Sequence, residues 1–322
     1  APMMAWTDRH CRRLHRCYAA KAELFTEMVT TDALAYGDAD ALLRCHPDSG
    51  PVTVQLGGCD PEGYARAAER VAAAGFARLN INVGCPSDRV QHARIGACLM
   101  REPATVAACA EAARGAGLPV SVKCRLGLDG DDTDDFVIQF IDRVAAAGVS
   151  EFYLHARIAI LRGLSPAQNR QVPPLQYDRL QRLRARYPTL TLHANGGIDS
   201  VAVARSRLRE TGCDGVMIGR AAYQNPWLLA ELEAAWRHTP LPDGPLAPLP
   251  PYLDYVREQL AGGERLHALT RHLHGIARGL PGARAFRRHL SEYANRPDAG
   301  MTVLEDALGY LGQPIPRSGR AA

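Results

Sequence analysis

The fold is decided by residues 120–156, VSVKCRLGLDGDDTDDFVIQFIDRVAAAGVSEFYLHA. Two short apolar runs, residues 120–124 and 152–155, flank residues 133–147, whose apolar side chains recur at helical spacing. A strand, a crossover helix and a second strand make one βαβ unit, which places the two strands parallel in one sheet. This stretch therefore predicts a parallel α/β fold.

The same alternation recurs along the chain at a spacing of about 30 residues. The predicted strands are residues 24–29, 52–56, 79–83, 120–124, 152–155, 190–194 and 215–218. The predicted helices between them are residues 60–74, 103–116, 133–147, 175–186 and 200–211. Eight such units make a TIM barrel, so we expect an eighth strand in residues that precede Ala1. A doubly wound sheet is the alternative, but no Gly-x-Gly-x-x-Gly follows the first strand.

The chain is predicted to hold a (β/α)8 TIM-barrel domain over residues 1–238 and a small all-helical domain over residues 252–322. Residues 240–251 contain six prolines, which predicts a linker over residues 239–251 that is neither helix nor central strand. One amphipathic helix is predicted from apolar residues spaced by three and four: Leu266, Leu269, Leu273, Ile276 and Leu280. After the Pro281-Gly282 break, a further helix is predicted to carry three arginines on one side: Arg284, Arg287 and Arg288.

Composition excludes several classes of protein. With 47% hydrophobic and 22% charged residues, the 322-residue chain is an ordinary globular one. No apolar run approaches the ~20 residues of a membrane span, and no signal peptide is recognisable. Nine cysteines at irregular spacing predict a reduced, cytoplasmic protein without a metal site. The net charge of +4 is concentrated in residues 265–296, which hold seven arginines and one glutamate.

Three predicted strands end on residues that can take part in catalysis or binding, and in a TIM barrel the active site lies at those ends. Cys85 stands between Gly84 and Pro86, a rigid exposed turn in which a thiol can donate a proton or act as a nucleophile. His155 can be a base, an anion ligand or a buried core histidine. Lys123 is one of only two lysines in a chain with 38 basic residues. It can form a Schiff base, face an anionic cofactor, or pair with an acid such as Glu27.

The last two strand ends predict a phosphate site. Gly196-Gly197 follows one strand and precedes a helix, so its backbone N–H groups are unobstructed by side chains. Gly219-Arg220 offers a second bare backbone segment and a cation at the neighbouring end. Phosphate sites after the seventh and eighth strands are frequent in TIM barrels.

Taken together, these segments resemble the tRNA-dihydrouridine synthase family. The resemblance is carried in order by Ala1-Pro2-Met3, Gln55-Leu56-Gly57-Gly58, Asn80-Ile81-Asn82-Val83-Gly84-Cys85-Pro86-Ser87, Val122-Lys123, His155-Ala156-Arg157, Asn195-Gly196-Gly197-Ile198 and Gly219-Arg220. Finer features are similar to the A subfamily, among them Trp6-Thr7-Asp8-Arg9-His10-Cys11, Gly163-Leu164-Ser165-Pro166 and Asn169-Arg170.

The resemblance implies a flavoenzyme in which NADPH reduces FMN and hydride passes to C6 of a tRNA uridine, U20 or U20a of the D-loop. Cys85 is implied to protonate C5, which gives 5,6-dihydrouridine. The implied flavin-binding residues are Pro2, Met3, Met4, Gln55, Lys123, His155, Asn195, Gly196, Gly197, Gly219 and Arg220. The implied tRNA contacts are Asn82, Arg170, Arg284 and Arg287. We expect a cytoplasmic monomer with no metal and no membrane partner.

Two departures from the family pattern stand out. Ile158 and Ile160 replace a lysine and a tryptophan that usually follow His-Ala-Arg, and His193 occupies a position where aliphatic residues are commoner. Three other functions remain open at this stage. They are an FMN barrel acting on a small molecule such as dihydroorotate, a Schiff-base aldolase that uses Lys123, and a non-catalytic tRNA-binding module.

Overall fold

A single parallel sheet organises the first part of the molecule. The computed structural model describes residues 1–312, with the side chain of Arg89 excepted. Its seven strands follow one another in the sheet in chain order, each parallel to the next. They are β1 (Leu24–Thr30), β2 (Val52–Gly57), β3 (Arg78–Val83), β4 (Val120–Arg125), β5 (Glu151–His155), β6 (Thr191–Asn195) and β7 (Gly215–Met217). All seven predicted strands are confirmed, each to within one residue at either end.

Helices connect the strands. In chain order they are α1 (Arg9–Tyr18), α2 (Thr31–Tyr36), α3 (Ala39–Leu43), α4 (Pro61–Ala73), α5 (Asp88–His92), α6 (Pro103–Arg114), α7 (Asp134–Ala146), α8 (Tyr177–Arg186), α9 (Val201–Thr211), α10 (Arg220–Gln224), α11 (Trp227–Arg237), α12 (Pro250–Ala261), α13 (Leu266–Thr270), α14 (Ala283–Tyr293) and α15 (Met301–Gly309). The five helices predicted between strands are confirmed as α4, α6, α7, α8 and α9. Side-chain caps start three of them, at Asp60, Thr133 and Ser200.

The two faces of the sheet have opposite chemistry, because successive strand side chains point to opposite sides. Val54, Val122 and Leu192 belong to the aliphatic face, which joins a core with apolar residues of α4, α6 and α7. Gln55 and Lys123 belong to the other face, which carries most of the polar strand residues. The aliphatic face thus holds the sheet to its helices, and the polar face is available for chemistry.

The strand order and the surrounding helices are those of a TIM barrel over seven strands. The predicted eighth strand would precede Ala1, outside the sequence, and stays a prediction. The amino group of Ala1 donates to the carbonyl of Ile218, 2.7 Å away, just beyond β7. The start of the chain is thereby held beside the carboxyl end of β7.

Near the amino-terminal ends of the strands, aromatic and charged groups pack together in a cluster that we call the floor. Phe25 and Tyr153 meet edge to face at 5.2 Å, and Met217, the last residue of β7, packs against them. The Tyr153 hydroxyl donates to Glu151 at 2.9 Å, and the His193 ring stacks on Tyr153 at 4.4 Å. His193 Nε2 also lies 2.8 Å from Glu151 Oε1. The unusual His193 therefore has a place in the floor, away from the carboxyl ends of the strands.

The chain divides into two compact units. The first comprises Ala1–Met4, Glu23–Cys45 and Pro51–Gly219; the second comprises Ala5–Ala22, His46–Gly50 and the chain from Arg220 onward. These bounds differ from the predicted ones, because Ala5–Ala22 and α11 belong to the second unit. The functional division into a catalytic barrel and a tRNA-binding helical domain stays a prediction.

The second unit is helical and has its own hydrophobic core. Leu14 of α1, Tyr252 of α12, Phe286 of α14 and Leu304 of α15 are buried together. Asp8 accepts from the N–H of Cys11 at 2.9 Å and caps α1.

Two helix predictions for this unit were wrong. The apolar repeat from Leu266 to Leu280 does not form one helix, because α13 ends at Thr270 and a short 3₁₀ turn covers Leu273–Gly275. The i, i+3 spacing satisfies a series of short turns as well as a helix. Pro250 and Pro251 are helical residues of α12, where proline fits because the first-turn N–H groups need no intrahelical partner. The helix predicted after Pro281-Gly282 is confirmed as α14.

Candidate active site

Cys85 lies in a loop after β3 that is fixed from within the barrel. Asn82 Oδ1 accepts from the N–H groups of Gly84 at 3.1 Å and Cys85 at 3.0 Å. The Cys85 carbonyl accepts from the N–H of Ala97 at 2.9 Å, and its thiol lies 3.5 Å from the Ser87 hydroxyl. The thiol is half-buried. Both the N–H and the carbonyl of Cys85 are therefore held by hydrogen bonds, while its sulfur stays partly exposed to solvent.

A relay of side-chain hydrogen bonds orients Asn82. Asn82 Nδ2 donates to Gln55 Oε1 at 2.8 Å, and Gln55 Nε2 donates to Asn80 Oδ1 at 2.7 Å. Asn80 Nδ2 then donates to Ser121 Oγ at 2.9 Å. Asn80 and Ser121 were missed by the sequence analysis, although their inward register beside Gln55 was a usable signal. In this structure Asn82 and Gln55 order the Cys85 loop, and their predicted contacts with tRNA and flavin stay predictions.

Arg125 connects the Cys85 loop to the loop after β5. Its Nε donates to the Gly84 carbonyl at 3.1 Å, and its Nη1 donates to the carbonyls of Ile158 at 3.1 Å and Asn169 at 3.0 Å. Burial lowers the pKa of Arg125 to about 10. Gln91 makes a parallel connection, because its Nε2 donates to the carbonyls of Pro86 and Leu161, each 2.9 Å away.

The loop with the two unusual isoleucines has a backbone fixed by a buried side chain. Asn169 is fully buried, accepts from the N–H of Ile160 at 2.8 Å and donates to the Ile160 carbonyl at 2.8 Å. The side chains of Ile158 and Ile160 are only partly buried. The two isoleucines therefore change the side chains that the loop exposes, while Asn169 and Arg125 hold its backbone.

Lys123 is a partly buried cation among other cations. It sits at the level of Asn82 in the β3–β4 register. Burial, with Arg125 and Arg170 adding repulsion, lowers the pKa of Lys123 to about 8. The charged groups that act most strongly on it in residues 1–312 are arginines and thiols, and none is a carboxylate, so the ion pair with Glu27 left open by the sequence is not formed. A group of cations of this kind attracts anionic ligands.

His155 is neutral. Burial, with repulsion from Arg125 and Lys123, lowers the pKa of His155 well below its ordinary value. Its residue pairs with Arg125 and Asn195 across neighbouring strands. The His155 ring lies against Gly196, where a β-carbon would come within 2.7 Å of Cδ2. His155 can therefore offer a hydrogen bond or a packing surface, but no positive charge.

The Gly196-Gly197 turn has the properties of an anion-binding backbone. Gly196 has φ +114° and Gly197 φ +66°, and a β-carbon on Gly197 would lie 2.6 Å from Leu175. Within residues 1–312, neither backbone N–H has a hydrogen-bond acceptor. Asn195, by contrast, donates its Nδ2 to the Met217 carbonyl at 2.7 Å, which fixes the strand that precedes the turn.

The predicted residues at the chain start and after β7 lie together. A β-carbon on Gly219 would be 3.5 Å from both Ala1 Cβ and Met3 Sδ. Pro2 and Met3 are half-buried, while Met4 is 65% exposed. Arg220 opens α10 in the second unit. In α14 of that unit Arg284 is exposed and Arg287 is half-buried.

In the first unit, the carboxyl ends of the strands thus combine a half-buried thiol, a group of cations, and a glycine turn whose N–H groups have no acceptor within residues 1–312. Within the described residues no group of acidic, histidine or cysteine side chains could hold a metal ion. No helix described here is long and apolar enough to cross a membrane. Fold and site together are those of an α/β-barrel protein with reactive and cationic side chains at the carboxyl ends of its strands.

Comparison with known proteins gives the family. Residues 1–309 match the model of the dihydrouridine synthase family. The chain is 50% identical to a tRNA-dihydrouridine(20/20a) synthase of Xanthomonas axonopodis pv. citri, over 96% of this chain and 92% of that protein. It is 46% identical to the Yersinia pestis protein of the same description, over 97% and 90%. The chain therefore belongs to the dihydrouridine synthase family and is an enzyme of that family.

Solved structures support the fold. The chain is similar to a morphinone reductase variant in complex with tetrahydroNAD, with a TM-score of 0.53 and 15% identity, over 73% of this chain and 85% of that one. It is also similar to a 2-naphthoyl-CoA reductase complex, with a TM-score of 0.53 and 11% identity, over 72% and 47%. At these identities the likeness concerns the fold alone.

Proposed function

We propose that the protein reduces uridine in tRNA to 5,6-dihydrouridine, with FMN as the resident cofactor and NADPH as the reductant. The carrying observation is the placement of Cys85, whose loop is tied to the same strand ends that hold the cation cluster around Lys123. Its relatives are named tRNA-dihydrouridine(20/20a) synthases, which supports the D-loop positions U20 and U20a as substrate. A cytoplasmic monomer is the state we propose for it.

The residues present fit FMN. The unpaired N–H groups of Gly196 and Gly197 are suited to a phosphate monoester, with Gly219 at the next strand end. A lysine that forms no ion pair within the described residues is suited to the anionic ring of a reduced flavin. When bound, FMN would supply hydride for transfer to C6 of the base. Pro2, Met3, Met4, Gln55, His155, Asn195 and Arg220 remain proposed contacts of the cofactor.

Cys85 would complete the reduction. As C6 gains hydride, charge develops on the C4 carbonyl and C5, and C5 must receive a proton. The Cys85 thiol gives that proton, which forms the C5–H bond, and the resulting thiolate regains a proton from water. Asn82 holds the backbone of Cys85 in register with Lys123, whose charge stabilises the developing anion. Preorganised backbone, rather than a mobile loop, keeps the thiol within reach of the base.

Arginines are proposed to bind the tRNA. Arg284 and Arg287 occur one turn apart on α14, as do Arg284 and Arg288, so all three lie toward one side of that helix. Phosphate contacts from such a side fix the register of the RNA without reading its bases. Arg170, close enough to Lys123 to lower its pKa, is proposed to meet the tRNA near the reacting nucleotide. A uridine in folded tRNA must leave its stack to reach C5 and C6.

The test uses single-turnover reactions of the FMN-loaded protein with tRNA that lacks dihydrouridine. We expect dihydrouridine at position 20 or 20a and one FMN per chain. Cys85→Ala should leave reduction of the flavin by NADPH unchanged and slow its reoxidation by tRNA about 10²–10⁴-fold. Cys98→Ala is the matched control, since Cys98 is also half-buried but donates to the Ile95 carbonyl. A colourless protein that binds no FMN, or full activity in Cys85→Ala, would contradict the proposal.

A further inference from the structure

Tyr177 contacts the backbone of the glycine turn from the side of α8. It is the first residue of that helix and is 4% exposed. Its hydroxyl donates to the Gly196 carbonyl. The guanidinium of Arg207, from α9, lies 4.2 Å from the centroid of the Tyr177 ring. Neither residue has a part in the function proposed above.

The hydrogen bond from Tyr177 fixes the orientation of the whole Gly196–Gly197 peptide, not only that of its carbonyl. The C=O of Gly196 and the N–H of Gly197 belong to one trans peptide, so they point in opposite directions. A hydroxyl that holds the carbonyl toward α8 therefore aims the N–H of Gly197 away from α8. In residues 1–312 that N–H has no acceptor. Because both glycines have positive φ, the peptide plane is otherwise less constrained than in a turn of larger residues.

Two neighbours keep the Tyr177 ring in place. Arg207 covers one face of the ring, and its Nη1 is held 2.5 Å from Glu210 Oε2 one turn along α9. A cation over the ring strengthens the hydroxyl as a donor, which counters the effect of burial on the phenol. Arg207 belongs to α9, which begins at Val201, a few residues after the glycine turn.

We propose that Tyr177, supported by Arg207, is a positioning residue that orients the Gly196–Gly197 peptide for the phosphate of the cofactor. This inference rests on the flavin function proposed above. It predicts that Tyr177 determines how strongly the protein prefers a phosphorylated flavin over the same flavin without phosphate. The isoalloxazine ring should be insensitive to Tyr177, since the hydroxyl acts on the phosphate turn alone.

The experiment titrates flavin-free protein with FMN and with riboflavin, following flavin fluorescence. Tyr177→Phe should raise the Kd for FMN roughly 3- to 10-fold, the usual effect of one hydrogen bond, and leave the Kd for riboflavin unchanged. Tyr187→Phe is the matched control: this tyrosine caps the other end of α8, and its hydroxyl lies 2.7 Å from Asp142. It should change neither Kd. Arg207→Met should give a smaller loss in the same direction.

The outcomes separate this inference from the proposed function. If the wild-type protein binds neither flavin, the proposed function itself fails. If the wild-type protein prefers FMN and Tyr177→Phe keeps that preference, the positioning role is refuted. Equal losses for FMN and riboflavin would also refute it, because they indicate general damage to the site. Circular dichroism of each variant checks that α8 and the sheet are intact.

Discussion

Replacing Lys123 with methionine should stabilise the flavin-free protein, because the folded chain holds this ammonium at a cost. Its pKa falls from the ordinary 10.5 to about 8 on folding. Each pKa unit corresponds to about 1.4 kcal/mol, so at pH 7 the cost is about 3 kcal/mol. Methionine has a similar length and no charge. We therefore expect the free energy of unfolding of Lys123→Met to exceed that of wild type by up to about 3 kcal/mol at pH 7.

The sign of the pH dependence follows from the depressed pKa. Below pH 8 both folded and unfolded chains carry the proton, and the cost is present in full. Between pH 8 and 10.5 only the unfolded chain still binds it, so wild type gains stability as the pH rises. The advantage of the variant should shrink to about 1 kcal/mol at pH 9.5.

Urea-induced unfolding of flavin-free wild type and variant at pH 7 and 9.5 measures these differences. Lys21→Met is the control, because Lys21 is the other lysine of the chain and is exposed; it should show little change at either pH. With saturating FMN the ranking should reverse, since the variant loses the cation that we propose to face the cofactor. The reasoning would be refuted if Lys123→Met were less stable than wild type at pH 7. It would also be refuted if the difference in the free energy of unfolding were the same at both pH values.

Three further outcomes are expected. Gly196→Ala should weaken FMN binding at least tenfold, because alanine is strained at positive φ and its β-carbon would collide with the ring of His155. Unchanged binding in equilibrium dialysis would contradict this. Arg284→Glu with Arg287→Glu should weaken tRNA binding, and the slope of log affinity against log salt should flatten by about one per lost phosphate contact, with unchanged FMN content. Arg143→Glu, on the exposed surface of α7, is the control for a charge reversal elsewhere. Asn82→Leu should slow flavin reoxidation by tRNA more than reduction of the flavin by NADPH, since the Cys85 loop loses its anchor while Gln55 keeps its bond to Asn80; equal slowing of both steps would argue against that role.

The sequence predicted the strands well because each one alternates or runs apolar between glycine-rich or polar ends. Strand ends in turn located Cys85, Lys123, His155 and the Gly196 turn, which the structure brings to the same ends of one sheet. A parallel sheet aligns its carboxyl ends by construction, so this part of the site follows from periodicity and chain order.

The residues that order the site were not predictable in the same way. Arg125 donates to three carbonyls from two loops, and the sequence does not reveal where backbone carbonyls will lie. Gln91 and Tyr177 likewise act on backbone groups far along the chain. Asn80 was the exception, since a polar residue at a buried inward strand position requires a partner. In the helical unit, the spacing of Leu266 to Leu280 could not distinguish one helix from shorter turns.

The position of the site residues has a kinetic consequence. Phe25 and Tyr153 pack together inside the sheet, and the site residues lie at the carboxyl ends of the strands, so we expect substrates to approach from those ends. A nicotinamide that must reach the flavin and a uridine that must reach the same flavin beside Cys85 would then compete for one volume. The oxidised nicotinamide would have to leave before the uridine enters. Turnover should then follow a substituted-enzyme order, with parallel lines in double-reciprocal plots and each substrate inhibiting the other at high concentration.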